Sequence, residues 1–283
     1  LTLRLTDAVM RGSTGRGARR AIRAALLAVV GAVLATVAGC GGTQGSPGAG
    51  GASPSGGGAT GTVTVFAAAS LTESFQKIAQ DFQAAHPGVQ VKFNFGASSA
   101  LAQQIVQGAP ADVFAAASAA TMKQVTDAQA AAGAPRVFAR NTLQIAVPKG
   151  NPGKVASLAD LAKPGLKVAL CAPQVPCGAA AGKALEAAGV KVTPATLEQD
   201  VKATLTKVRL GEVDAALVYR TDVKAAGGAV EGIDFPEAAK AVNDYPIVVL
   251  AKAPNAPAAK AFVDYVLSDR ARAVLAEAGF QTP

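Results

Sequence analysis

From Thr62 onward the sequence predicts an α/β fold in two lobes, and three observations carry that reading. Short apolar runs alternate with amphipathic segments, as strands and helices do when they follow one another. Glycines sit where several helical segments should stop. Half of the 283 residues are hydrophobic, enough to bury one large domain or two lobes. No repeat of fixed period is present, so a solenoid or propeller is not indicated.

The elements follow in order. Val63–Ala67 reads as a buried strand, and Leu71–Ala85 as a helix with Phe75, Ile78, Ala79 and Phe82 on one face. Val89–Phe95 alternates as a strand, Ala100–Gln107 is a helix closed by Gly108, and Val113–Ala116 is a strand. A helix from Ser118 to Ala130 comes next. The middle of the chain gives a strand at Leu143–Val147, a short helix at Ser157–Leu161 and a strand at Lys167–Cys171. Helices at Ala179–Ala188 and Val201–Leu210 end at Gly189 and Gly211. Strands at Ala215–Tyr219 and Tyr245–Ala251 and a helical tail at Ala258–Gly279 complete the set. The chain is expected to cross between lobes twice, near Asn141–Val147 and Tyr245–Leu250, on strands long enough to serve both. Lobe 1 then comprises residues 62–143 and 248–283, and lobe 2 residues 144–247.

The net charge of +8 is unevenly spread. Residues 1–39 carry Arg4, Arg11, Arg16, Arg19, Arg20 and Arg23 against Asp7, which leaves +3 for everything from Cys40 onward. That surplus is too small for a nucleic-acid footprint. Arg16–Arg23 reads as a basic n-region and Ala24–Ala38 as an apolar stretch of signal-peptide length. Val37-Ala38-Gly39-Cys40 resembles a lipobox, in which the cysteine takes a lipid and becomes the mature N-terminus. An uncleaved membrane anchor with an incidental cysteine is the alternative. Arg19-Arg20 hints at a twin-arginine signal, although its flanks match poorly. Residues 41–61 are nearly all Gly, Ser, Pro, Ala and Thr, the composition of a flexible tether. Signal peptide (1–39), lipidated Cys40 with tether (40–61) and body together predict an extracytoplasmic protein, lipid-anchored at the cell membrane.

The chemistry of the body is marked by what it lacks. His86 is the one histidine, and it sits in Ala-Ala-His-Pro-Gly at a helix end, a setting for a dipole partner more than for a base. No histidine pair, acidic metal cluster, phosphate loop or Ser-His-Asp set can be assembled. Helix N-termini are what remain. Ser70 and Glu73 have capping-box spacing, and Ser98 opens the next helix. Val175-Pro176-Cys177-Gly178 precedes the Ala-rich helix, and Asp200-Val201-Lys202 opens another. Each start exposes unpaired N–H groups and the positive end of a helix dipole, which hold an anion without a charged side chain. Taken singly, each is also an ordinary cap.

The segments themselves resemble a known family. Val65-Phe66-Ala67-Ala68-Ala69-Ser70-Leu71 is similar to the opening motif of the periplasmic molybdate-binding proteins of ABC importers. The similarity continues through Phe95–Ile105, Gly108–Phe114, Asn141-Thr142-Leu143, Val175–Gly178 and Gln199–Lys202, then Leu217–Asp222 and Asp244-Tyr245-Pro246. The resemblance implies the two-lobed periplasmic-binding-protein fold, with a mixed β-sheet in each lobe, a ligand cleft between them and two crossing strands as hinge. It implies no enzymatic activity and no cofactor. It also implies a molybdate or tungstate ligand, a membrane permease and ATPase as partners, and a monomer. Its oxyanion contacts carry over to the hydroxyls of Ser70 and Ser98, the N–H groups of Cys177 and Val201, and the phenol of Tyr219. The family often has alanine where this chain has Cys177. Such a site suits a tetrahedral dianion with no proton to donate and disfavours protonated phosphate, which would lack an acceptor. Sulfate must then be rejected by size.

Cys171 and Cys177 lie six apart around Pro173 and Pro176, and outside the cytoplasm they are expected to form a disulfide. A loop this short gains about 2 to 3 kcal/mol in the chain-entropy model. Two further readings stay open at this point: a hydrolase with Ser70 or Ser98 as nucleophile, and a thiol–disulfide exchange protein built on the two cysteines.

Overall fold

The computed structural model describes residues 59–283. The expected signal peptide, Cys40 and the tether up to residue 58 lie outside the described residues.

Two five-stranded mixed sheets organise the chain. In the first, β1 (Gly61–Ala68) pairs in parallel with β2 (Val89–Gly96) and with β3 (Val113–Ala115). β4 (Arg136–Asn141) lies at its edge. In the second, β5 (Leu143–Pro148) runs antiparallel to β8 (Ala215–Tyr219) and β9 (Val230–Ile233). β6 (Val168–Cys171) runs parallel to β7 (Thr196–Glu198) and β8. The last strand, β10 (Asn243–Val249), returns to the first sheet between β3 and β4, antiparallel to both. Strand β1 begins at Gly61, the last residue of the expected tether, where Gly61 pairs with Val89.

Strand β1 shows why the first sheet is covered on both faces. Val63, Val65 and Ala67 face one way, into a core with Phe75, Ile78, Phe82 and Phe262. Phe66 faces the other way, toward Leu101, Ile105, Met122 and Val125. The flanking helices are α1 (Thr72–Ala85), α2 (Ser98–Val106) and α3 (Ala119–Asp127). The second lobe has its own core, centred on Ile145, Leu217, Val218 and Leu205, under α4 (Pro176–Ala187), α5 (Val201–Arg209) and α6 (Arg220–Ala225).

Three expectations need correction. Residues 243–247, expected in lobe 2, hydrogen-bond within the first sheet, where Asp244 pairs with Arg140 in register and through a 2.8 Å ion pair. The boundary therefore moves from residue 248 to 243. Neither crossing is a strand shared by both sheets: Thr142 alone separates β4 from β5, and β10 begins after a 3-10 turn at Pro236–Lys240. The two crossings lie side by side, since Asn141 and Asn243 are register partners. The helical tail is two helices, α7 (Ala256–Val266) and α8 (Asp269–Ala278). Ser268 breaks it by donating to the Tyr265 carbonyl and accepting from Ala271 N–H.

Phe75 is fully buried and packs against the rings of Phe93, Phe138 and Phe262. Phe75→Ala is expected to cost about 3–5 kcal/mol of unfolding free energy, against less than about 0.5 kcal/mol for Val106→Ala at an exposed position. Urea denaturation of both variants measures the difference, and a loss below about 1 kcal/mol at Phe75 would contradict this account of the core.

Candidate functional site

Five strand-to-helix turns and strand ends bring their donors to one place. Ser70 lies in a 3-10 turn, Ala69–Leu71, between β1 and α1. The expected capping box does not form there: Leu71 is the cap residue of α1, and it makes no side-chain capping bond. The Ser70 hydroxyl instead meets the Tyr245 phenol at 2.9 Å, and Glu73 reaches Lys202. Ser98 is the first residue of α2, and its Oγ accepts the N–H of Ala117 at 2.9 Å.

Helix α4 begins three residues before its expected start, because Pro176 occupies its first turn without needing a donor. This makes Cys177 part of the helix and leaves its N–H without an intrahelical acceptor. Gly178 is required for the close approach of this turn to β6: a Cβ there would lie 2.0 Å from the Ala172 carbonyl oxygen. The Cys171–Cys177 disulfide ties the same turn to the end of β6, with the two Cα atoms 5.8 Å apart. On α5 the Asp200 carboxylate caps Lys202 N–H at 2.8 Å and Ala203 N–H at 2.9 Å. The Val201 N–H, one residue nearer the end, is left for something else. Tyr219 closes β8, and its phenol oxygen accepts from Asn243 Nδ2 at 2.7 Å.

Ser70, Ser98, Cys177, Val201 and Tyr219 all line one small cavity. The first two come from lobe 1 and the other three from lobe 2, so the cavity is the cleft between the sheets. Among the described residues, none of the N–H groups of Ser70, Ser98, Cys177 and Val201 finds a protein acceptor. The wall contains one carboxylate, Asp200, whose Oδ1 is engaged by the two amides of α5. Burial pushes the Tyr219 phenol well above its ordinary pKa, and Tyr245 and Asp222 push it further, so it keeps its proton.

The charges stand just outside this wall. Lys202 Nζ bridges the lobes, 2.8 Å from Glu73 of α1 and 3.2 Å from the fully buried Asp222 of α6. Burial alone would lower the Lys202 pKa, but the facing Asp222 and Glu73 hold it above the ordinary value. Neither Asp222 oxygen has a hydrogen-bond partner, and burial raises its carboxyl pKa to about 6, against the pull of Lys202.

Sequence reasoning missed Asn141, Asn243, Ala117 and the Glu73–Lys202–Asp222 bridge. Asn141 and Tyr245 stood inside recognisable segments, but nothing in the local pattern signals a side chain that reaches across a lobe junction. His86 caps α1, with its ring stacked on Phe82 and Nδ1 3.1 Å from the Phe82 carbonyl. The described residues contain no group of three or more His, Cys, Asp or Glu side chains able to hold a metal ion. Cys171 and Cys177 are 2% and 3% exposed, which shields the disulfide from an attacking thiolate.

Two lobes around an anion-ready cleft define a binding protein. The chain belongs to the family of bacterial extracellular solute-binding proteins, whose pattern it matches over residues 63–281. The molybdate-binding protein ModA of Mycobacterium tuberculosis is 44% identical over 222 residues, 78% of this chain and 85% of that relative. ModA of Escherichia coli is 34% identical over 233 residues, 78% of this chain and 89% of the relative. The solved periplasmic molybdate-binding protein of Azotobacter vinelandii shares the fold, with a TM-score of 0.68 at 22% identity over 78% of this chain and 99% of its own. These relatives are solute-binding proteins, so the hydrolase and thiol-exchange alternatives are set aside.

The Asp222 carboxyl gives a pH signature. Folding raises its pKa from 3.8 to about 6, so the folded state holds the proton more tightly than the unfolded chain. Stability attributable to Asp222 therefore rises as pH falls through about 6 and levels off below 3.8. The span is at most about 3 kcal/mol. Chemical denaturation of the wild type and Asp222→Asn between pH 4 and 7.5 should show the variant's advantage at neutral pH shrinking on acidification. A constant difference across that range would refute the assignment.

Proposed function

We propose that this protein captures molybdate between its lobes and delivers it to the permease and ATPase subunits of an ABC importer. Ser70, Ser98 and Tyr219 donate through their hydroxyls and Cys177 and Val201 through their N–H groups. The observation that supports this most is the convergence of these five donors on a single cavity. Their identity as the ligand set is this proposal, and the names of the mycobacterial and enterobacterial relatives supply the ligand.

The chemistry is consistent with the ligand. Molybdate carries two negative charges and no proton, so every oxygen accepts. A desolvated dianion is held by several neutral donors and by the positive ends of α2, α4 and α5. Charge-assisted hydrogen bonds of this kind are the stronger class. Tungstate presents the same charge and shape and would occupy the same donors. On the sequence evidence for a lipobox, Cys40 carries the lipid that holds the monomeric body at the outer membrane face.

Calorimetric titration with molybdate tests the site directly. Ser98→Ala should weaken binding by about 1 to 3 kcal/mol, and an unchanged dissociation constant would remove Ser98 from the ligand set. Cys40→Ala in the full chain should move the protein from the membrane fraction to the soluble one. Retention in the membrane fraction would favour an uncleaved anchor.

A further inference from the structure

Resting on the ligand reading above, we propose that Asn243 and Asn141, side by side where the chain crosses between the lobes, are positioning residues that fix the cleft hydroxyls as donors and so select against protonated oxyanions.

The argument starts with which end of each amide faces which atom. Asn243 has its terminal nitrogen 2.8 Å from the Ala117 carbonyl oxygen, an atom that can only accept. The group there must be the NH2, so the same nitrogen, 2.7 Å from the Tyr219 phenol, donates to it. One proton of the amide goes to each lobe. With that lone pair occupied, the phenol's own proton goes to an acceptor other than Asn243: the neighbouring Tyr245 phenol when the cavity is empty, and an anion in the cavity that Tyr219 lines when one is bound.

Asn141 is pinned in the opposite way. Its Oδ1 accepts the N–H of Thr142 at 3.0 Å, so its other end is the NH2. That NH2 donates to the Thr221 hydroxyl at 2.8 Å and, more weakly, to the Tyr245 phenol at 3.4 Å. Either hydroxyl could give the proton of the 2.9 Å Tyr245–Ser70 contact; in this proposal Tyr245, receiving from Asn141, gives it to Ser70 Oγ. Ser70 thereby keeps its proton for the cavity. The third hydroxyl follows the same rule, since Ser98 Oγ accepts from Ala117 N–H. All three hydroxyls are then backed by a donor, and the backbone of Ala117 serves two of these arrangements, one through its N–H and one through its carbonyl.

A hydroxyl is ordinarily indifferent, able to give or to take. Here its direction is set from behind, at the lobe junction. Hydrogen phosphate has the charge and shape of molybdate but carries one proton that needs an acceptor; these hydroxyls are poor acceptors while the asparagines stay in place, and of the one carboxylate in the wall, Asp200, Oδ1 is already taken by the α5 amides and only Oδ2 is not.

The test is calorimetric titration of the full body with molybdate, sulfate and hydrogen phosphate near pH 8, where all three are dianions and electrostatic effects cancel in their ratios. Asn243→Ala should lower the preference for molybdate over hydrogen phosphate by about tenfold, the scale of one hydrogen bond. Its preference for molybdate over sulfate, which only size decides, should stay within about twofold. In a Tyr219→Phe background the same substitution should leave both ratios alone. An unchanged phosphate ratio, or a parallel loss of both ratios, would mean a structural role only and overturn the proposal. Should Asn243→Ala fail to show the wild-type melting transition, Asn141→Ala, acting through Tyr245 and Ser70, is read by the same two ratios. Wild-type protein that does not bind molybdate would instead refute the ligand reading.

Discussion

On the proposed function, the constraint on which the site depends is that a doubly charged anion leaves water without meeting a formal positive charge. Burying an unpaired charge costs far more than any single hydrogen bond returns. The chain answers with several donors at once, and with helix starts whose dipoles are built into the backbone. Placing these requires that each strand end where a helix begins, at the cleft edge of its sheet. That is what an α/β arrangement does when ligands bind at the carboxyl ends of strands. Gly178 and Pro176 are local concessions to the same demand: one lets α4 approach β6, the other starts the helix early.

The nearest ammonium is kept out of this role by its own partners. Lys202 follows Val201 directly, yet its charge is spent on Glu73 across the cleft and on Asp222 behind it. An exposed ion pair contributes little, typically under about 1 kcal/mol. Here Glu73 is half-exposed and Asp222 is fully buried, so the two contacts differ in kind. The buried pair anchors the lysine within lobe 2, and the exposed one reaches to lobe 1. Separation of the lobes therefore breaks the Glu73 contact and leaves the Asp222 contact intact within lobe 2.

Much of this was legible in the sequence. The central strands of both lobes and β2, the helix starts near Ser98 and at Val201, and the disulfide follow from apolar periodicity, cap residues and cysteine spacing. The edge strands β4, β7 and β9 did not, because Arg136–Asn141, Thr196–Glu198 and Val230–Ile233 are short and partly exposed, with no apolar run to mark them. The capping box at Ser70 failed for a different reason. Local spacing allowed Ser70 to bond its own helix, but Tyr245, distant in sequence, claimed the hydroxyl. Likewise a run of apolar residues at 245–250 could not reveal which sheet it joins. The ladder to β4 and the Arg140–Asp244 pair decide that.

On the proposed reading, polarity and size are controlled by different parts of the molecule. The size of the bound anion is limited by how closely two rigid sheets approach, a property spread over both lobes. Proton discrimination is local, set by three hydroxyls and the groups behind them. Those groups lie where the lobes are joined, since Asn141 and Asn243 are paired in one ladder and adjacent to both crossings. Were the lobes to open about these crossings, Ser98 and Val201 would separate while the Asn243–Tyr219 contact stayed near the axis. Donor direction can then be established before the ligand arrives, and closure needs only to bring correctly oriented protons within reach. Preorganisation of this kind lowers the ordering cost of binding, and it follows from putting the polarity control at the one place both lobes share.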